Sequence, residues 1–418
     1  MTPADGHFWN GPVVRYLLGS GISLYGDWLT TVALLVLLFR TTNSVTAPAL
    51  YMLARVAPRV VGPAPGGVLT DRLGPVRLAV TCLLVQGLLT GAIVFTTGAG
   101  ATWTVYPLVA AAQFVSSLGR PAYSAMPPRL TDSVNLGRLN GLYAGLFASS
   151  ILVSPAIGAL LLPHTTPKVL IAADAVSFAL SAALIATLRI GRAPHGDDGT
   201  GSARGIRAGW SAITGDATLR SAAAAAFGNA AVITALQAVL VLAAAQHFNR
   251  DVDIGWLYAA VGGGGVLGGL LFLRPTPRII RRREVVALAA GEVLPVIIFV
   301  FSTNFALAIA LLFVSSVAAT MYEVLATVAM QQRVPIGLLG RAGGATRVAQ
   351  YTGMLVGAVA SVALVKPLGW EATVVIVCAF AVVVLGVFTV TGPRDMPVAT
   401  SEVNPVLAPA PASATPHS

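Results

Sequence analysis

Long runs of apolar residues recur along this chain and set the strictest limit on what it can fold into. About 20 apolar residues cross the hydrocarbon core of a bilayer as one helix. Only 10% of the residues are charged, against about 25% in soluble domains. The sequence therefore predicts an all-α membrane protein. We place twelve transmembrane helices, at 13–39, 45–68, 76–97, 103–125, 138–162, 167–188, 219–245, 254–273, 285–302, 304–329, 338–365 and 371–391.

The longest polar interruption divides these helices into six and six. It predicts an N-terminal six-helix bundle (1–188), a cytoplasmic linker (189–218), a C-terminal six-helix bundle (219–394) and a disordered tail (395–418). The tail is rich in Pro, Ala, Ser and Thr, which favours disorder. The linker predicts a short amphipathic helix at the membrane interface, with a solvated loop as the alternative. Its apolar face consists of Ile206, Trp210 and Ile213.

The two halves repeat a short pattern at an interval of about 204 residues. Met126-Pro-Pro-Arg129 and Leu136-Gly137-Arg138 match Met330-Gln-Gln-Arg333 and Leu339-Gly340-Arg341. Such a repeat is typical of transporter halves related by an axis along the membrane normal. It favours two pseudo-symmetric bundles over a chance similarity of Leu- and Gly-rich segments.

Basic residues are distributed unevenly over the predicted loops. A net charge of +10 would suggest nucleic acid as the partner of a soluble protein. Here 17 arginines fall in the loops and tail on one side of the predicted membrane, against 4 basic residues on the other. Cytoplasmic loops carry the excess of Lys and Arg. We therefore expect a multi-pass membrane protein with both termini cytoplasmic and no nucleic-acid partner.

A few polar side chains fall deep inside predicted spans. An ionisable group costs roughly 2.5–3.5 kcal/mol at the centre of an inserted helix, so such groups indicate functional sites. The candidates for proton coupling or for the substrate cavity are Asp27, Arg55, Gln113, Arg120, Gln237, Glu292 and Glu323.

Asp27 is the first candidate for carrying a proton, because it lies near the middle of its span. A fixed ion pair with Arg55 or Arg120 is the alternative. Glu323 has Met and Tyr neighbours suited to a lipophilic or cationic ligand, while a hydrogen bond to a neighbouring helix is the alternative for it and for Glu292. Asp174 is assigned to packing, through Lys168 or Ser177.

The charged, glycine-rich segment from Gly66 to Arg77 predicts a turn between two spans. Gly67 would let helices approach closely, and Asp71 would accept hydrogen bonds at the positive N-terminus of the eleventh span. Arginines of the turn would pair with an acid of the next loop on the same side. The predicted conformational latch, which opening towards the cytoplasm would break, consists of Gly67, Asp71, Arg72, Gly74, Arg77 and Asp132.

The chain shows no pattern of catalytic or metal-ligating residues. Its five histidines are scattered over loops, tails and span ends. The run Gly262–Gly265 lacks the Lys-Ser/Thr of a phosphate-binding loop, so close helix packing explains it better. We expect no enzymatic activity, no cofactor and no metal.

Several motifs resemble the Major Facilitator Superfamily, in particular its macrolide-efflux and enterobactin-exporter branch. They are the Gly66–Arg77 turn, Gly26-Asp27-Trp28, Gly119-Arg120-Pro121-Ala122-Tyr123, Leu136-Gly137-Arg138-Leu139-Asn140-Gly141 and Ser154-Pro155-Ala156-Ile157-Gly158. One departure is the fourth span, which lacks the Arg-x-x-Gln-Gly run of drug antiporters and offers only Arg120-Pro121. This departure weakens the expectation of a standard proton-relay arginine.

The resemblance implies a monomeric secondary transporter of the bacterial inner membrane that exports a drug-like or siderophore-like amphiphile in exchange for protons, by alternating access. Its partners would be a small amphiphilic substrate, protons and the lipid bilayer. A lysophospholipid flippase or a small-nutrient importer of the same fold is one alternative. A membrane receptor or scaffold without transport activity is an alternative of another class.

Overall fold

The computed structural model describes residues 8–96, 102–131, 133–190, 203–249, 253–271, 280–334 and 336–390. Nearly all of them are helical, and none of these described residues forms a strand. The predicted all-α class is therefore confirmed. The tail 395–418 and Asp132 lie outside the described residues.

The helices are numbered here in chain order. The first half contains α1 (Gly11–Thr42), α2 (Ala47–Val61), α3 (Pro63–Leu73), α4 (Pro75–Thr96), α5 (Val105–Ala125), α6 (Pro127–Leu130), α7 (Ser133–Leu161) and α8 (Pro167–Ala186). The second half contains α9 (Ala203–Gly215), α10 (Ala217–Leu242), α11 (Ile254–Leu270), α12 (Arg282–Gly291), α13 (Val293–Phe301), α14 (Phe305–Arg333) and α15 (Ile336–Val390). A 3₁₀ turn precedes α5 and a π-helical turn follows α10.

Eight helical stretches of the described chain are long and apolar enough to cross a membrane. One of them lies within α15, which holds two predicted spans joined at Gly369, where φ is +85°. The predicted spans 45–68, 103–125 and 254–273 lie on α2 with α3, on α5 and on α11, which are shorter or more polar. Every predicted span thus coincides with helix, and the count of twelve stays a prediction.

The predicted turn at Gly66–Arg77 is mostly helix. Residues up to Leu73 belong to α3, and the turn is confined to Gly74, whose φ is +83°. Pro63 and Pro75 stand at the starts of α3 and α4, where the fixed φ of proline suits a helix and its missing N–H costs nothing. The prediction of a longer turn was wrong because prolines at these positions begin helices.

The linker contains the helix α9, and the described part of its apolar face packs on protein. Ile213 is buried in a cluster with Leu219, Val334 and Ala342, and Trp210 packs against the same cluster. A Cβ at Gly209 would collide with the backbone carbonyl of Arg341, so glycine allows α9 to contact α15 closely. The expected position of α9 at the membrane interface stays a prediction.

The buried apolar residues form four cores. One contains residues of both halves, and each of the other three contains residues of one half only. The shared core includes Leu34 and Leu38 of α1 together with Leu236 and Leu240 of α10. A second core contains first-half residues only, such as Leu83, and the other two contain second-half residues only. The shared core lies at one end of the helices, which we name the closed end; it carries Arg40, Lys168 and Lys366.

The separate cores lie at the opposite end, which we name the arginine-rich end. It carries Arg72, Arg129, Arg189, Arg283 and Arg341. None of the separate cores combines residues of both halves, so among the described residues apolar clustering joins the halves at the closed end only. We refer to the region between the halves at the arginine-rich end as the gap.

Glycines bring the two halves into backbone contact along α7 and α11. A Cβ at Gly262 would collide with the backbone of Leu152, and a Cβ at Gly255 would collide with the carbonyl of Pro155. Gly264 likewise faces the carbonyl of Phe313 in α14. The prediction that this glycine run serves close helix packing is confirmed.

Candidate functional site

A small polar cavity lies inside the first half. Its volume is about 20 Å³, enough for roughly one water molecule. Two carboxyl groups share it, from Asp27 on α1 and Asp174 on α8. The other polar side chains that line it are Thr30, Thr31, Tyr51, Gln86, Thr90 and Gln113. The cavity therefore combines two acids with neutral hydrogen-bonding groups.

The carboxylate of Asp27 forms no ion pair with any residue in the described part of the chain. Arg55, Arg59 and Arg120 are near enough to act on it electrostatically. The guanidinium of Arg55 instead lies 4.8 Å from the ring centroid of Trp28. The fixed pair with Arg55 or Arg120, considered as the alternative from the sequence, is not formed in this structure.

Asp174 is 1% exposed and is held by a neutral donor. The hydroxyl of Ser177 donates to its Oδ1 at 3.1 Å, as the sequence predicted. Gly26 packs on the same carboxyl group, and a Cβ there would collide with it. The glycine of the Gly26-Asp27-Trp28 element thus brings α1 against α8. Packing alone does not describe Asp174, because it shares a cavity with Asp27.

Gln113 binds an arginine that the sequence analysis did not single out. Nε and Nη2 of Arg59 donate to its Oε1 at 3.0 and 2.7 Å. The signal for Arg59 was its position four residues after Arg55, which places both side chains on one face of α2. Together they line the side of the first half that faces Asp27.

The second half contains a comparable buried acid, Glu292, between α12 and α13. It is 3% exposed, and Nδ2 of Asn229 donates to its Oε2 at 2.6 Å. The hydroxyl of Ser315 donates to its backbone carbonyl at 2.9 Å. A cavity of about 10 Å³ adjoins the group. Glu292 therefore forms a hydrogen bond to a neighbouring helix, which was the alternative to a role in transport that the sequence left open.

Gln237 contributes its main chain rather than its side chain. Its backbone carbonyl accepts from the hydroxyl of Tyr258 at 2.9 Å. The ring of Tyr258 lies 6.1 Å from that of Trp28, so this contact joins the two halves beside Arg55. The side chain of Gln237 has no hydrogen-bond partner among the residues the structure describes.

Polar contacts also occur where the gap between the halves ends. Nη1 of Arg120 donates to the hydroxyl of Tyr351 at 2.7 Å, which joins α5 to α15. On the preceding residue of α15, Nε2 of Gln350 donates to Oε1 of Glu323 at 3.3 Å. Arg120 and Glu323 are both exposed, so a molecule that entered the gap would meet a cation and an acid.

Asp71, Arg72 and Arg77 of the predicted latch are exposed at the arginine-rich end, and Gly67 and Gly74 are half-buried. Asp71 makes no hydrogen bond with any described residue, so the expected contact with the N-terminus of the eleventh span is not formed here. A Cβ at Gly67 would meet no atom within 4 Å. The close approach expected of Gly67 is made by Gly66 instead, which packs on the backbone of Leu118.

Comparison with protein families adds a decisive observation. The sequence model of the Major Facilitator Superfamily matches residues 16–358, which is more than half of the chain. The protein belongs to the Major Facilitator Superfamily. It is thus a multi-pass membrane transporter and not an enzyme.

Relatives and solved structures agree with this membership. This protein is 23% identical over 282 residues to the multidrug efflux pump Tap of Mycobacterium tuberculosis and of Mycobacterium bovis. The aligned region covers 65% of this chain and 67% of the relative. A point mutant of the nucleoside transporter NupG superimposes with a TM-score of 0.71 at 13% identity, over 91% of this chain and 99% of the transporter.

A second solved structure shows the same fold. A bacterial homologue of the human lysosomal transporter Spinster, in an inward-facing and unoccupied conformation, superimposes with a TM-score of 0.67 at 13% identity. The superposition covers 90% of this chain and 96% of that one. Identities this low show the fold alone.

Proposed function

We propose that this transporter exports a drug-like or siderophore-like amphiphile in exchange for protons, by alternating access. The observation that carries the proposal is Asp27, an intramembrane acid without an ion-pair partner in the described structure, which shares a cavity with Asp174. Similarity to a multidrug efflux pump supports the direction of transport. The distribution of arginines supports a cytoplasmic position for the open end and for both termini.

The two halves would act as rigid bodies, at 1–188 and 219–394, joined by the linker 189–218. In the present conformation the substrate enters the gap and meets Arg120 and Glu323. Substrate can drive the change of state only through its different affinity for the two states. When the arginine-rich end closes, the latch residues would come together, and when it opens, they would separate.

The proton step would use the two carboxyl groups of the first-half cavity. A proton on Asp27 removes the negative charge that attracts Arg55, Arg59 and Arg120, so the attraction between α1 and the helices that carry these arginines becomes weaker. Loss of the proton restores that attraction. Asp174 would share or pass on the proton through the cavity, which has room for one water. The export step thereby couples to proton entry from the closed end once that end opens.

The proposal is tested by expression in a bacterium that lacks its own efflux pumps. We expect the protein to lower accumulation of a fluorescent cationic dye, and collapse of the proton gradient to abolish this effect. Asp27→Asn should reduce gradient-driven export at least about tenfold, because loss of the coupling group removes the driving force. Glu371→Gln, which neutralises an acid at the closed end, is the matched control and should export normally.

Each outcome separates the alternatives. Export that survives collapse of the gradient would exclude proton coupling. Dye accumulation above that of empty cells would favour an importer. No effect for any dye, siderophore or lysophospholipid, with the protein folded in the membrane, would favour a receptor or scaffold.

A further inference from the structure

A cavity of about 630 Å³ opens at the arginine-rich end of the second half. Its walls come from α12, α14 and the end of α15, so it is separate from the cavities around Asp27 and Glu292. Four arginines converge on it from two elements: Arg281, Arg282 and Arg283 at the start of α12, and Arg333 at the end of α14. The positive charge here is concentrated in a concave site.

The four arginines differ in whether a carboxylate neutralises their charge. Arg333 is largely neutralised, because its Nη1 lies 3.1 Å from Oδ2 of Asp216. Its Nη2 donates to the carbonyl of Ile280 at 3.1 Å, which fixes the segment that leads into α12. The side chains of Arg282 and Arg283 form no ion pair with any described residue. The cavity therefore keeps a net positive charge that would attract an anion.

The remaining lining residues are Val286, Ala287 and Thr389, which are apolar apart from the hydroxyl of Thr389. Val286 and Ala287, about one helical turn after the arginines, line the cavity, and Ala287 is exposed. At the end of α15, Phe388 is 44% and Val390 is 84% exposed. Because α12 leads into the apolar α13, the cavity lies where a membrane span meets the headgroup region. Its shape combines a cationic floor with a hydrocarbon wall.

We propose that this cavity binds the phosphate headgroup of an anionic phospholipid from the leaflet on the arginine-rich side. Arginine forks bind phosphate oxygens through charge-assisted hydrogen bonds. The acyl chains run along Val286 and Ala287 towards the membrane. A free phosphate would use the arginines and leave this wall uncovered, so the apolar half of the site selects the lipid over the soluble anion.

Native mass spectrometry of the purified full-length protein tests the proposal, with phosphatidylglycerol as the probe and phosphatidylcholine as the neutral reference. The double variant Arg282→Gln/Arg283→Gln should bind phosphatidylglycerol about tenfold more weakly or worse, since two charge-assisted contacts are lost. Arg129→Gln/Arg189→Gln removes the same charge from exposed positions of the first half and should bind as the wild type does.

Ala287→Glu provides a second variant that leaves the arginines in place. Its exposed side chain is tolerated by the fold and puts a negative charge on the lipid wall, so it should also weaken binding. Equal losses in the two double variants would overturn the proposal in favour of general electrostatic attraction. Displacement of the lipid by millimolar glycerol 3-phosphate would overturn it in favour of a soluble phosphate; persistence of the lipid would support it.

Discussion

Single residues in this transporter show how a membrane interior tolerates acids. Asp174 and Glu292 each rely on a neutral donor, Ser177 and Asn229, rather than on an arginine. A buried polar group that loses its partner keeps its full cost of desolvation, about 1–3 kcal/mol. The donors are therefore expected to matter for folding as much as the acids matter for transport.

Asn229→Ala should lower the free energy of unfolding by about 1–3 kcal/mol, because Glu292 loses the donor to its Oε2. Thermal unfolding of the detergent-solubilised protein measures the effect. Glu292→Gln keeps an oxygen acceptor in the same place, so it should change stability less. Equal destabilisation by the two substitutions would show that the hydrogen bond is not what stabilises this site.

At the scale of helices, glycine decides which elements touch. Along α11, Gly262 meets the backbone of Leu152 in α7, and Gly264 meets that of Phe313 in α14. Small residues let membrane helices approach this closely, where van der Waals packing stabilises the contact. One helix thus holds a neighbour from each half, which makes α11 part of the joint between them.

Gly262→Ala should destabilise the protein by about 1–3 kcal/mol, because the added methyl group overpacks the crossing of α7 and α11. The control is Gly386→Ala in α15, whose Cβ would meet no atom within 4 Å. The control should be unchanged or more stable, since alanine is favoured over glycine inside a helix. Unfolding midpoints that fall alike for both would contradict the role of the crossing.

At the scale of the whole molecule, one shared core and three separate cores define a structure closed at one end. Alternating access requires the reverse arrangement as well, in which the arginine-rich end closes and the other end opens. Among the described residues, the core that combines apolar residues of both halves lies at the closed end, as expected of one of the two states that the proposed alternating access requires.

Pairs of spin labels at the two ends should report opposite changes during the transport cycle. The pair Arg129→Cys/Arg283→Cys spans the open end, and Lys168→Cys/Lys366→Cys spans the closed end. When substrate or protons shift the population, we expect the first distance to shorten and the second to lengthen in double electron–electron resonance measurements. The native Cys82 and Cys378 are buried, which keeps background labelling low.

A pair within the first half, Arg129→Cys/Arg189→Cys, is the control for this measurement. Its distance should stay constant if that half moves as a rigid body. Parallel changes at the two ends, or no change under any condition of pH and substrate, would contradict alternating access in this protein.

The fold and most elements of the site could be predicted from the sequence, because hydrocarbon imposes strong local requirements. Apolar runs of spanning length indicate helices, and rare intramembrane acids such as Asp27 and Glu292 stand out against them. The role of the glycine run in helix packing also followed from its composition. Predicting the turn at Gly66–Arg77 failed in part, because Pro63 and Pro75 begin helices that cover most of this segment.

Partners across helices could not be predicted in this way. Sequence spacing places a residue on a face of its own helix but does not say which helix lies opposite. For this reason the sequence analysis assigned Asp174 to packing alone and did not select Arg59. It also predicted the close helix approach at Gly67, whereas the structure has it at Gly66. Each of these depends on a contact with α1, α5 or Gln113 that only the packed bundle supplies.

By itself the sequence determined that this chain resides in a membrane and how its helices are laid out, because the cost of polar groups in lipid acts on each segment separately. Only the tertiary structure decided that Asp27 and Asp174 share one cavity, that Arg120 reaches Tyr351 and that the apolar core shared by the halves lies at the closed end. Those facts depend on contacts between segments far apart in the chain, where shape and packing, not composition, select the partner.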